Sequence, residues 1–113
     1  MTPRIASSVL VGALIRKAEA SGGFAAVLSK GDTVSGAILV LLTERGAIPH
    51  LLERILQADG CYAWHSPKAE GFQNIAEVAQ FVERRRRFDP DLWVLELDIA
   101  SAERFAADMN AFD

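Results

Sequence analysis

The chain holds one cysteine, Cys61, and two histidines, His50 and His65, among its 113 residues. A lone thiol excludes an intrachain disulfide and fits a reducing compartment, so a cytoplasmic protein is expected. Cys61 and His65 share a face if their segment is extended, but two soft ligands without a third and fourth do not make a zinc site. No metal or other cofactor is expected. No apolar run nears the roughly 18 residues that span a bilayer. The longest, Ala37 to Leu42, suits a buried strand. Low-complexity tracts and internal repeats are missing. So are a GxGxxG fingerprint and a Walker-type loop; Gly22-Gly23 and Lys30-Gly31 are turn chemistry. No Ser, His and acid grouping has the local context of a catalytic triad. The stretch from Arg4 through Ile5–Ile15 to Ala18-Glu19-Ala20 imitates a secretory leader. Ser7, Ser8 and Gly12 interrupt its apolar part, and Arg16, Lys17 and Glu19 charge the cleavage region, so it is read as structure.

What is present is ordinary globular material. Half the residues are hydrophobic and 24% are charged. A chain of this length buries roughly 65% of its unfolded surface without a metal or disulfide, so a single domain over residues 1–113 is expected. The net charge of −3 is unevenly placed. Residues 1–88 carry 11 basic and 8 acidic groups, a net of +3, while residues 89–113 carry one basic and seven acidic groups, a net of −6. The acidic total disfavours nonspecific nucleic-acid binding, and the asymmetry permits a local basic patch.

Apolar residues surround most of the circumference over Ala6–Ala20, which predicts a well-buried helix stopped by Ser21-Gly22-Gly23. Strands are predicted over Phe24–Ser29 and Val34–Thr43, the second apolar on both faces as a central strand would be. Ile48–Gln57 fits a short helix nearly as well as a strand, but Asp59-Gly60 is a hairpin signal and favours a strand paired with Cys61–His65. Ile75, Val78, Ala79 and Val82 recur at helical spacing, so a helix over Asn74–Arg87 follows, with Asn74 as N-cap and Glu77 three residues on. Pro90 ends the helical region. In the strand Leu92–Asp98, Trp93, Leu95 and Leu97 point one way and Leu92, Val94, Glu96 and Asp98 the other. A helix over Ser101–Met109 closes the chain. The order α-β-β-β-β-α-β-α gives an α+β domain, with helices on a mixed, mostly antiparallel five-stranded sheet.

Two groups of residues invite chemistry. The run Arg84 to Arg87 reads either as an anion site or as a solvated helix end, where cations meet the negative end of the dipole. Successive helical residues turn about 100°, so the four cannot share a face. Arg85 falls on the buried stripe with Val78 and Val82, and Glu83 can pair with Arg87. Arg84, Arg86 and Arg87, with Trp93 alongside, are therefore the candidate ligand-binding residues for a phosphorylated ligand or nucleic acid. Asp91, Glu96 and Asp98 are the candidates for a Mg²⁺-dependent hydrolase, since Glu96 and Asp98 share a strand face. Trp64 and Trp93 are expected mostly in the core.

Three segments carry a family resemblance: Met1-Thr2-Pro3-Arg4 leading into Val9-Leu10-Val11; Gly22 to Leu28 with Lys30-Gly31-Asp32; and Asp89-Pro90-Asp91-Leu92-Trp93-Val94-Leu95-Glu96-Leu97. They resemble a family of short alphaproteobacterial proteins, the domain of unknown function 1491, over nearly the full chain. The resemblance implies a bacterial, cytoplasmic, stand-alone domain and assigns no catalytic or ligand residue. The reading from the residues is a non-enzymatic module that binds a protein partner or itself, as a possible homodimer, through a sheet edge or an exposed tryptophan.

Overall fold

Alternation along two strands dictates the architecture. In the strand Trp93–Asp98, Trp93, Leu95 and Leu97 face one way and Val94 the other; in Ile38–Thr43, Ile38, Val40 and Leu42 oppose Leu39 and Leu41. Both strands are apolar on two faces, so the sheet must be covered on both. The computed structural model describes residues 5–44, 47 and 49–112. Its elements are α1 (Ser7–Ala20), β1 (Phe24–Ser29), β2 (Ile38–Thr43), β3 (His50–Leu56), β4 (Tyr62–His65), α2 (Ile75–Phe88), β5 (Trp93–Asp98) and α3 (Ala102–Phe112). This is the expected α+β order. The turn around Glu44-Arg45-Gly46 lies partly outside the described residues.

The sheet runs β1-β5-β2-β3-β4. β5 is parallel to β2 and antiparallel to β1, and the remaining pairs are antiparallel. α1 and α3 cover one face. Leu10, Val11, Leu14 and Ala18 of α1, with Phe105 and Met109 of α3, meet Val40, Leu42, Leu95 and Leu97. α2 covers the other face, where Val78 meets Leu39, Leu41, Leu51, Leu92 and Val94. Each fully buried leucine contributes roughly 1.5–3 kcal/mol. No described helix is long and apolar enough to cross a membrane.

Several boundaries shift for physical reasons. β2 starts at Ile38, not Val34, because the preceding residues are engaged elsewhere. The Asp32 carboxylate accepts the N–H of Val34 (3.1 Å) and of Ser35 (2.8 Å), while the buried Ser7 hydroxyl donates to the Gly36 carbonyl at 2.6 Å. The ambiguous segment 48–57 is a strand, and its first residues fall outside the described region or before β3. α1 is buried on one side only, with Val9 exposed, because a helix lying on one sheet face leaves its outer side to solvent. α3 extends to Phe112, and the Glu44 carboxylate accepts the Ala102 N–H at its start (2.8 Å).

The start of β5 is tied to the β1–β2 loop. The indole of Trp93 donates to the Asp32 carbonyl at 2.7 Å, and the Asp32 N–H donates to the Asp91 carbonyl at 3.0 Å. A Cβ on Gly31 would lie 2.1 Å from that Asp91 oxygen, so only glycine allows this approach. Gly31→Ala is therefore expected to cost about 1–3 kcal/mol of stability in urea unfolding. Gly12→Ala, whose Cβ meets only the mobile end of Arg16 at 3.3 Å, is expected to gain about 0.5–1 kcal/mol in the same measurement. The Asp32 carboxyl is held below the usual aspartate range, first by the Ser35 N–H and then by the Val34 N–H. A lowered carboxyl pKa gives stability that is full above the unfolded value and lost as pH falls through the folded one. The melting-temperature difference between the wild-type chain and Asp32→Ala should thus shrink as pH drops from about 6 to about 3.

Candidate functional site

The arginine run ends α2, and the helix begins as its sequence predicts. Asn74 is extended, and its side chain accepts the Glu77 N–H at 2.8 Å. Glu77 does not complete a capping box; its carboxylate accepts the Gln73 N–H at 3.4 Å and pairs with Lys68, which above all lowers its pKa. At the other end the cations face the negative pole of the helix.

The four arginines diverge as helical geometry requires. Arg85 turns toward the sheet and makes a bidentate pair with Glu53 of β3, at 2.7 and 2.8 Å. The pair is partly buried, and the hydrogen bonds that the guanidinium donates to Glu53 push its pKa up. Arg86 pairs with Glu83 at 3.6 Å, one turn back. Glu83 was expected to pair with Arg87; the i,i+3 neighbour takes it instead. Arg84 and Arg87 are exposed and make no ion pair with another described residue. Arg86 and Arg87 share an open cleft of about 280 Å³ with Ser29, Glu83, Asp89 and Pro90. Two acids line it beside two bases, so its charge is close to balanced.

Trp93 is not beside these arginines. Its side chain is 5% exposed and packs in the core under α1 and α3, on the opposite face from α2. Trp64 is buried in the same cluster, and its indole N–H has no partner among the described residues. Neither tryptophan offers a contact surface. The three carboxylates proposed for a metal also fail to converge. Asp91 precedes β5 and Asp98 ends it, and the strand between advances roughly 16 Å. Among the described residues, no group of three His, Cys, Asp or Glu side chains is placed to hold a metal ion. A cleft of about 420 Å³ near Pro49 and Phe72 has His50 as its one titratable lining residue among the described residues.

The two sheet edges are treated differently. At β4, the Trp64 N–H points away from the sheet and is capped by the Asn110 side chain of α3 at 2.8 Å. At β1, nothing described covers the outer side. Phe24 is 75% exposed, Val27 44% and Leu28 48%, and the strand has no charged residue and no proline. Phe24 and Ala26 pair with Asp98 and Glu96 on the α2 side, but α2 packs over β2 and β3 and leaves this part of the sheet open. The sequence marked Phe24–Ser29 as a strand; its place at the edge depends on sheet order, which the local sequence does not encode.

Among the described residues, the Arg85–Glu53 pair is the charged contact joining α2 to the sheet. A double-mutant cycle with Arg85→Ala and Glu53→Ala is expected to give a coupling of about 1–2 kcal/mol in urea unfolding, between the values for surface and buried pairs.

With this geometry in place, comparison with known proteins is informative about family. The family model described as "Protein of unknown function (DUF1491)" matches residues 5–107. Three solved structures are similar. A crystal structure of a DUF1491 family protein from Caulobacter crescentus, at 1.87 Å, is 34% identical, covers 90% of this chain and 94% of its own, and has a TM-score of 0.79. An NMR structure of a DUF1491 family protein from the same organism is 33% identical, covers 93% and 94%, and has a TM-score of 0.76. The solution structure of Atu0922 from A. tumefaciens is 34% identical, covers 92% and 93%, and has a TM-score of 0.75. No curated protein matches the chain. The family resemblance of the three sequence segments thus extends through the whole fold, and the chain belongs to the DUF1491 family.

Proposed function

We propose that the protein is a non-enzymatic binding module that takes an extended, uncharged strand along the open edge of its sheet at β1. The observation that carries this reading is the exposure of Phe24, Val27 and Leu28 on an edge strand without charge or proline. Natural sheets protect such edges with charge, proline or a covering element, and an edge without them is a template for pairing. Backbone hydrogen bonds supply affinity in strand addition, and side-chain contacts on alternate positions supply selectivity. The capped β4 edge in the same sheet supports the contrast. The β-bulge between Val27 and Ser29 bends the far end, so the regular pairing segment is Phe24 to Val27. The exposed thiol of Cys61 supports a reducing, cytoplasmic setting.

An anionic ligand held by Arg84, Arg86 and Arg87 is the weaker reading, because Glu83 already engages Arg86 and Asp89 lines the same cleft. A rise in melting temperature with inorganic phosphate at low salt, absent in Arg86→Ala/Arg87→Ala, would reverse this preference.

The strand-addition reading is tested with a labelled peptide of residues 23–30 as probe. Binding is expected to perturb the backbone amides of Phe24 to Val27 in NMR spectra and to be lost in Val27→Lys, whose new charge sits on the pairing edge. Perturbations confined to other elements, or none up to millimolar peptide, would overturn it.

A further inference from the structure

β3 is longer than β4, and the difference leaves a notch in the sheet. Glu53 to Leu56 pair with His65 to Tyr62, whereas His50, Leu51 and Leu52 have no partner on that side among the described residues. The same register would set Pro67 opposite Leu51. Proline has no N–H to give to a ladder, so the strand ends before it. The chain turns at Ser66, whose hydroxyl donates to the Lys68 carbonyl at 2.8 Å, and returns at Phe72, which packs with Leu51. The cleft of about 420 Å³ occupies this gap. Leu51 and Leu52 both line it although their side chains face opposite sides of the sheet, so it lies at the strand's edge. Ser66, Gly71 and Phe72 line it from across the gap.

The backbone direction in the notch follows from Trp64. Its N–H points away from β3, to the Asn110 side chain. Arg54 and Trp64 are therefore a non-hydrogen-bonded pair, and Glu53 and His65 exchange both of their backbone bonds. Leu51, two residues from Glu53, turns its N–H and C=O the same way, into the notch. Neither group has a hydrogen-bond partner on that side among the described residues. Leu51 is 2% exposed, so the pair meets solvent only through the cleft. Buried backbone donors and acceptors are nearly always paired. A donor and an acceptor left side by side here match a ligand that offers the reverse.

We infer that the notch takes the end of an extended apolar chain, laid antiparallel to β3 and in line with β4. One residue of that chain, set opposite Leu51, gives its N–H to the Leu51 carbonyl and accepts the Leu51 N–H. Recognition is thus by backbone, as in strand addition. Opposed residues share a face, so its side chain lies on the α2 side beside Leu51 and Phe72, where a leucine-sized apolar group fits. His50 is the one titratable lining residue among those described, so no fixed charge calls for a charged ligand. β4 fills the ladder from Glu53 onward, which leaves roughly 10 Å of edge. A chain running on in line would meet His65, so an end fits and an internal stretch does not. The site shares no residue with β1 and does not depend on the reading there.

A peptide series titrated into the full, isotope-labelled wild-type chain tests this by NMR, with no variant whose folding could fail. The probe is acetyl-Ala-Leu-Ala-amide, which carries the backbone of such an end without a terminal charge. Saturable shifts of the Leu51, Gly71 and Phe72 amides are expected at millimolar peptide, with the Leu51 N–H moving downfield as it gains an acceptor. Methylating the leucine nitrogen removes the N–H that the Leu51 carbonyl needs and should weaken binding about tenfold. The D-leucine peptide, whose side chain leaves the α2 side, should weaken by at least as much. Unmoved Leu51 and Phe72 amides at millimolar peptide overturn the inference. Equal binding of the N-methylated peptide overturns it too, since apolar contact alone then suffices. Shifts confined to Phe24 to Val27 overturn the notch while supporting the edge reading at β1.

Discussion

Enclosure of β5 is the constraint on which the rest of this fold depends. Its first five residues are apolar on both faces apart from Glu96, and its backbone pairs on both edges. A strand of this composition is stable only when covered on two faces and flanked on two sides. The chain meets this by placing α1 and α3 on one face and α2 on the other, and by inserting β5 between β1 and β2. The indole of Trp93 locks the entry to that slot by bonding the loop between the two strands it separates. The same insertion leaves β1, an uncharged strand, at the edge of the sheet.

One member of the basic run beside β5 contributes to this arrangement. One arginine, Arg85, crosses to Glu53 and fixes α2 over β2 and β3; its neighbours fan outward because helical rotation sends them there. α2 thus sits off-centre, toward β3, and no described residue covers the sheet at β1 and the end of β5 on that side. Glu96 and Asp98 look out from this uncovered strip. They stand in register with Ala26 and Phe24 of the edge strand. The Arg85–Glu53 pair and the apolar contacts of Val78 hold α2 on the same side of the sheet.

Much of the fold was legible because it rests on local patterns. Alternation in 93–97 and in 38–42 survived intact, since period-two burial is a property of an extended chain against any apolar layer. Asn74 capped α2 as its residue type implies. The departures came where long-range partners competed with local propensity. Val34 has strand propensity, yet the turn held by Asp32, with Ser7 reaching across from α1, takes that segment out of the ladder. The apolar belt of α1 suggested full burial, and the sheet offered it only one face. The candidate site fared least well. Trp93 and the arginines adjoin in sequence, but a strand and the helix before it can present side chains to opposite sides of a sheet.

The sequence by itself determined the element order, the two-faced character of β2 and β5, the helix cap at Asn74, the break at Pro90 and the membership of the family. These follow from steric preference and hydrophobic period, which act over a few residues. Only the tertiary structure decided that β5 lies between β1 and β2, that Glu53 claims Arg85, that Asn110 caps the Trp64 N–H at the β4 edge and that no described residue covers the outer side of β1. Those outcomes depend on which distant surfaces meet, and burial of apolar area is blind to sequence separation. The stretch that carries the densest charge thus sends one arginine to the sheet and one back along its own helix, while the plainest strand in the chain, Phe24 to Ser29, keeps Phe24, Val27 and Leu28 exposed at the sheet edge.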